Sequence, residues 1–173
     1  MTKITAELFS TLDGVVSAPE EWHGPYFTEE MGARTGELIA ASGVMLLGRR
    51  TYEMHAGYWP TADDPMAELM NSIPKLVVTW TLETFDWENS SALKGTVADL
   101  KAEGGPDILI TGSVALVQSL LREALIDELR LIVDPLVAVE GTRLFQGYDG
   151  PHGLRLLDSH PFSTGALSLT YGW

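Results

Sequence analysis

Gly48-Arg49-Arg50-Thr51 and Thr111-Gly112-Ser113 are the segments of this chain whose residue types best suit the binding of an anion. Each follows an apolar run and opens a helical pattern. A strand, a glycine turn and a helix N-terminus together make an anion pocket. The first amides of the helix have no internal partner, and the positive end of the helix dipole points the same way. Arg49 and Arg50 stand beside the first turn. Two such turns on one sheet suit a long ligand with more than one phosphate, such as a dinucleotide. A plainer reading stands beside this one: Thr51 and Ser113 as ordinary helix caps.

Composition narrows the alternatives. The chain has 173 residues, 45% of them hydrophobic, which suits one domain over 1–173 with a sizeable core. Eleven basic residues against 24 acidic ones give a net charge of -13. Such a surface repels nucleic acid and anionic membranes, so an anionic ligand must be bound locally. With no cysteine, disulfides, thiolate zinc sites and cysteine nucleophiles are excluded, in keeping with a cytoplasmic protein. His23, His55, His152 and His160 show no metal-ligand spacing, which points to surface or packing roles and to no metal. Met1 to Ser10 lacks the apolar stretch of a signal peptide, and no run approaches membrane-spanning length.

The elements that must position these turns follow from periodicity. Ile4, Ala6 and Leu8 alternate with Thr5, Glu7 and Phe9 as a first strand, closed by an Asp13-Gly14 turn. Residues 15–26 read as an irregular loop, long enough to be functional. Phe27 to Ala41 is helical, Val44 to Leu47 a short buried strand, Thr51 to Ala56 a short helix, and Gly57 to Pro65 a loop. Pro65 to Asn71 adds a helical turn or two. Lys75 to Thr79 is a strand. Thr96 and Asp99 have capping-box spacing for a helix ending at Gly104-Gly105. Asp107 to Thr111 is a strand and Ser113 to Ala124 a helix. Leu129 to Val133, Arg143 to Phe145, Leu154 to Asp158 and Ala166 to Tyr171 then read as strands without helices between them. The fold class is therefore α/β: a mostly parallel central sheet, extended at one edge by antiparallel C-terminal strands.

At these residues the chain resembles the dihydrofolate reductase-like family, in the branch of the reductase domain of the riboflavin-biosynthesis deaminase-reductase. The resemblance runs in order through Ser10-Thr11-Leu12-Asp13-Gly14, Leu47-Gly48-Arg49-Arg50-Thr51-Tyr52-Glu53, Pro74-Lys75-Leu76-Val77-Val78, Thr111-Gly112-Ser113, Leu125-Ile126-Asp127-Glu128-Leu129 and Arg143-Leu144-Phe145. It implies a three-layer fold, an NADPH cofactor and a homodimer. By analogy the backbone of Arg50 and Thr51 and the Thr51 hydroxyl meet the pyrophosphate. Arg49 approaches the 2′-phosphate, and Gly112 and Ser113 let the cofactor pass close to the sheet. Thr79-Trp80 stands where the family often has serine followed by arginine or lysine, and Trp80 can stack on adenine. Dihydrofolate reductases carry a carboxylate on the helix before the Gly-Arg segment. Counting back from Gly48 lands on Gly32, with Glu29 and Glu30 nearby. The deaminase's zinc-binding cysteines are missing.

The remaining candidates have two readings each. Asp13 is either a turn residue or, where the family's first loop meets nicotinamide and substrate, a proton relay with its pKa raised by burial; Glu30 is the second choice. Trp22, Tyr26, Tyr58 and Trp59 line a substrate pocket or cap the core. Leu129, Leu131, Val133, Leu136 and Val137 give the C-terminal strands an apolar surface suited to a two-fold dimer. The function expected is an NADPH-dependent reductase transferring hydride to a carbonyl or imine carbon of a small heterocyclic or ribosyl substrate. The alternative is a non-catalytic nucleotide-binding sensor that keeps the cofactor pocket.

Overall fold

A computed structural model describes residues 2–173. Its strands are β1 (Ile4–Thr11), β2 (Val44–Gly48), β3 (Lys75–Val78), β4 (Ser90–Ala92), β5 (Ile108–Thr111), β6 (Glu128–Asp134), β7 (Arg155–Pro161) and β8 (Leu167–Gly172). Its helices are α1 (Pro19–Trp22), α2 (Glu29–Ala41), α3 (Arg49–Ala56), α4 (Ala67–Ser72), α5 (Val97–Glu103) and α6 (Val114–Arg122). All eight strands form one sheet, in the order β4-β3-β2-β5-β1-β6-β8-β7. The first six strands are parallel, while β8 runs antiparallel to β6 and β7 antiparallel to β8. The expected parallel sheet with an antiparallel C-terminal edge is what the chain forms. Among the described residues no helix is long and apolar enough to cross a membrane.

Alternation along each strand sorts its side chains onto two faces. Ile4, Ala6, Leu8, Leu46, Ile108, Ile110 and Leu129 pack with Val97 of α5 and Val117, Leu120 and Leu121 of α6. Met45, Leu47, Val77 and Leu109 face the other way, onto Ile39 of α2, Tyr52 of α3 and Met70 of α4. Thr5, Glu7 and Phe9 share this second face, because Thr5 pairs in register with Leu109 and Glu7 with Thr111. β1 is thus covered on both sides, and a glutamate at its centre has to be accommodated inside the protein.

Local devices secure the helices on that face. Thr28 Oγ1 accepts the Met31 amide and caps α2. Lys75, fully buried, donates to the carbonyls of Met70, Asn71 and Ile73 at 2.8, 2.9 and 2.8 Å, satisfying the C-terminal end of α4. Its ammonium also lies 4.2 Å from the Trp87 ring centroid. The capping box of α5 forms as expected, with Asp99 N–H donating to Thr96 Oγ1 and Thr96 N–H to Asp99 Oδ2.

Four expectations about elements need correction. Residues 143–145 are not a strand: Arg143 makes a single bridge to Val15, and the segment closes its hydrogen bonds locally, from Gln146 to Arg143 and Tyr148 to Phe145. β4 was not expected, because Ser90-Ser91-Ala92 has no apolar alternation; the backbone of this edge strand pairs with β3 all the same. The loop at 15–26 holds α1 and a 3₁₀ turn at Gly24–Tyr26. Of the apolar surface expected on the C-terminal strands, Leu129 is buried, Leu131, Val133 and Leu136 are half-buried and Val137 is exposed. The open edge belongs to β7, where Leu156 and Leu157 are exposed.

Candidate functional site

The two glycine turns meet. β2 pairs with β5 through Val44↔Ile108 and Met45↔Leu109, a register that brings Gly48 level with Gly112. Ser113 does not cap α6 with its side chain. It adopts a left-handed conformation, φ 58°, and its Oγ accepts the Gly48 amide at 2.8 Å. The hydroxyl therefore joins one turn to the other. The N-cap of α3 is Gly48, with no side-chain cap, so Thr51 is not a cap either. Gly112 has φ +72°, and a Cβ there would meet Thr51 Cγ2 at 3.5 Å. The Ser113 hydroxyl stands between the turns, the Gly112 amide donates to the Glu7 carbonyl, and the uncapped starts of α3 and α6 open beside them. Helix starts without a side-chain cap leave first-turn amides that can hold an anion.

The cradle opens on a cleft of about 700 Å³ between β1, α2, the first loop and α3. Arg50, Thr51, Gly112 and Ser113 line it together with Glu7, Phe9, His23, Met31 and Thr35, and the Glu7 carbonyl accepts the Gly112 amide at 3.3 Å. Glu7 is 5% exposed. Thr35 Oγ1 donates to its Oε1 at 3.0 Å, and Arg130 Nε, from the neighbouring strand, lies 3.0 Å from Oε2. Burial pushes the Glu7 pKa up, outweighing the attraction of Arg130, the Thr35 hydrogen bond and the more distant Arg34. His23 Nδ1 lies 2.8 Å from Oδ2 of the fully buried Asp134, and the His23 ring stacks on Phe9 at 3.7 Å. His55 also lines the cleft; burial pushes its pKa down to about 4, so it is neutral near pH 7.

Glu7, His23, Asp134 and His55 were missed as site residues. The signal for Glu7 was present, since a charged residue in a strand flanked on both faces must turn inward. His23 carries no such signal, because its partner Asp134 lies 111 positions away.

The residues singled out in the sequence scatter between the cleft and its surroundings. Trp59 lines the cleft. Trp22 and Tyr26 do not: Trp22 Nε1 donates to the Ser17 carbonyl, and Tyr26 packs near Met31 and Phe162. Glu30 points away and lies 2.7 Å from His160 Nε2. Arg49 sits at the rim, donating from Nε to Glu53 Oε1 and from Nη1 to Thr81 Oγ1, both at 2.8 Å. It thus leans on the turn in which Thr79 Oγ1 accepts the Thr81 and Leu82 amides and Trp80 is 91% exposed.

Asp13 lies outside the cleft lining and fastens a loop. Its Oδ1 accepts from Thr11 Oγ1 at 2.6 Å and the Ala138 amide at 3.0 Å; its Oδ2 accepts from the Val139 amide and Arg143 Nη2. The Thr11 bond, then the Ala138 amide, hold its pKa well below the ordinary carboxylate value, the reverse of the raised pKa expected of a proton relay. A depressed carboxylate stabilises the fold above its unfolded pKa, and that contribution is lost as pH falls through the folded one. Asp13→Asn should therefore flatten the acid limb of the stability curve. It should also speed amide exchange at Ala138 and Val139, and an unchanged exchange rate at both would contradict the fastening role.

Comparison with known proteins agrees with this architecture. Residues 2–168 match the family described as RibD C-terminal domain. The uncharacterized protein YyaP of Bacillus subtilis is 28% identical over 181 residues, covering 99% of this chain and 95% of that protein. A Shewanella protein named for riboflavin biosynthesis shares the fold at 22% identity and a TM-score of 0.75, covering 99% of this chain and 98% of that one. A Thermotoga maritima diaminohydroxyphosphoribosylaminopyrimidine deaminase/5-amino-6-(5-phosphoribosylamino)uracil reductase gives 13% identity and a TM-score of 0.69, with 99% of this chain covering 56% of that one. The two glycine turns, the sheet order and the match over nearly the whole length converge: the chain belongs to the RibD C-terminal domain family.

Proposed function

We propose that the chain is an NADPH-dependent reductase of the riboflavin-biosynthesis type. It would transfer a hydride to a carbonyl or imine carbon of a small ribosyl heterocycle such as 5-amino-6-(5-phosphoribosylamino)uracil. The carrying observation is the junction of two uncapped glycine turns opening on a cleft whose wall holds a buried carboxylate and a buried histidine. In this reading the amides of Arg50 and Thr51 and the Thr51 hydroxyl hold the pyrophosphate, and Gly112 and Ser113 let it approach the sheet. Arg49 takes the 2′-phosphate beside Thr79, and Trp80 stacks on adenine. Trp59 belongs to the substrate end. The cofactor supplies the reducing equivalent, while the protein orients substrate, excludes water and provides a proton. A two-fold dimer covering the β7 edge and a cytoplasmic setting complete the reading.

One observation favours a second reading, a nucleotide-binding sensor without turnover. Gly32 stands in the cleft where α2 of a dihydrofolate reductase would present a carboxylate, and Glu29 and Glu30 are not among the lining residues. A fluorescence titration with NADPH, followed by NADPH oxidation with 5-amino-6-(5-phosphoribosylamino)uracil, pteridines and simple carbonyls, separates the two. The reductase reading expects binding and oxidation; binding without oxidation of any substrate supports the sensor. Arg49→Ala should weaken NADPH by about tenfold and leave NADH almost unchanged, as expected for one charge-assisted bond at an exposed rim. Equal loss for both dinucleotides would move the 2′-phosphate elsewhere.

A further inference from the structure

We propose that His23, oriented by Asp134, is the proton donor of this cleft. The inference rests on the reductase reading and supplies the group that reading lacks.

The placement of His23 is specific. The Asp134 carboxylate is an acceptor, so the hydrogen bond to Nδ1 assigns that nitrogen a proton and leaves Nε2 as the atom whose protonation can change. Asp134 is fully buried at the end of β6. The imidazole is sandwiched in position: stacked on Phe9 at 3.7 Å, with the edges of Trp22 and Phe27 at 6.4 and 6.2 Å. Its backbone is pinned by hydrogen bonds from its own amide to Pro19 and from the Tyr26 amide to its carbonyl. Nε2 is buried and has no partner among the described residues, although His23 lines the cleft. A buried ring nitrogen left unpaired in an otherwise fully held side chain is a position for a ligand atom.

The other titratable groups of the cleft are less suited. Glu7 is engaged by Thr35 and Arg130, and Asp13 is tied to the 138–143 loop. His55 sits among Trp59 and Trp87 and holds no carboxylate to orient it. Besides Asp134 on β6, the charged groups of the same cleft are Glu7 on β1, Glu20 on α1, Arg50 on α3 and Asp64.

A reduced nicotinamide, when bound, would supply the hydride, that is, a hydrogen nucleus with an electron pair. As the acceptor carbon gains that pair, the π electrons of its C=O or C=N bond move to the heteroatom. The heteroatom takes the proton from Nε2, and the N–H bonding pair stays on the ring. Asp134 holds the ring throughout, and solvent reprotonates the neutral imidazole after product leaves.

Nitrogen-15 NMR of the histidines in the full chain, with and without NADPH, tests the assignment independently of turnover. His23 should carry its proton on Nδ1, facing Asp134, and Asp134→Asn should abolish that tautomer preference. A wild-type His23 that keeps its proton on Nε2 and never on Nδ1 overturns the proposal. In the NADPH oxidation assay, His23→Gln should lower kcat by roughly 100-fold with NADPH affinity unchanged. Circular dichroism of the same variant separates a local effect from misfolding. Wild-type turnover with an unaffected kcat in His23→Gln overturns the His23 assignment alone. A wild type that binds NADPH but oxidises it with no substrate overturns the reductase reading, and this proposal with it.

Discussion

Gly112→Val is expected to weaken NADPH binding by at least about a hundredfold, because it acts on both requirements of the cradle at once. The first is conformational. Gly112 has φ +72°, where a β-branched residue is strained, and Ser113 beyond it is also left-handed at φ 58°. The second is spatial. A Cβ at Gly112 would already touch Thr51 Cγ2 at 3.5 Å, so the two methyls of valine fall in the gap between the turns that the pyrophosphate is assigned. A control separates strain from blockage. Gly104→Val carries similar strain at φ +77°, with nothing within 4 Å of the added Cβ, at the end of α5 and away from the cleft. It should lower the melting temperature and leave the NADPH titration unchanged. If Gly112→Val binds NADPH like the parent while both variants are folded, the pyrophosphate does not lie between these turns.

The legibility of this protein followed the range of the interactions involved. The parallel sheet was readable because its strands are short apolar runs separated by helices with local start signals, such as Thr28 before α2 and the Thr96–Asp99 box before α5. The glycine turns were readable for the same reason: strand, glycine and helix are neighbours in sequence. What each turn residue does was not. Ser113 has the composition of an N-cap, but its hydroxyl serves an amide 65 positions away. Asp13 has the composition of a turn, and its carboxylate closes a loop 125 positions away. β4 was invisible because backbone pairing at an edge asks little of its side chains. Arg143 to Phe145 misled, because a short apolar run can close turns as readily as join a sheet.

Glu7 shows how far a single buried group can be argued from topology. Glu7→Leu is expected to destabilise the fold by about 3–5 kcal/mol, because it leaves the Arg130 guanidinium buried without its carboxylate. Glu7→Gln should behave differently. The folded pKa of Glu7 is raised, so folding disfavours its ionised form. Below the unfolded glutamate pKa, about 4.3, both states hold the proton. As pH rises, the unfolded chain releases it first, and the parent loses stability up to the folded pKa. Glutamine cannot ionise and escapes that loss; its one carbonyl oxygen can accept from Arg130 while its amide N–H donates to the Thr35 hydroxyl. Relative to the parent, Glu7→Gln should gain stability between acid and neutral pH. A buried acid that costs stability where it stands, in the wall of an open cleft, marks a working position. In the proposed reading its carboxylate would accept N–H donors from an aminopyrimidine ring, and the amide that replaces it would present a donor there. Turnover of 5-amino-6-(5-phosphoribosylamino)uracil should fall by about tenfold or more in Glu7→Gln, chiefly through KM, with NADPH affinity unchanged. Denaturant titrations at several pH values and steady-state kinetics on the same preparation check both halves. A Gln variant with full activity would make Glu7 a structural partner of Arg130 and nothing more.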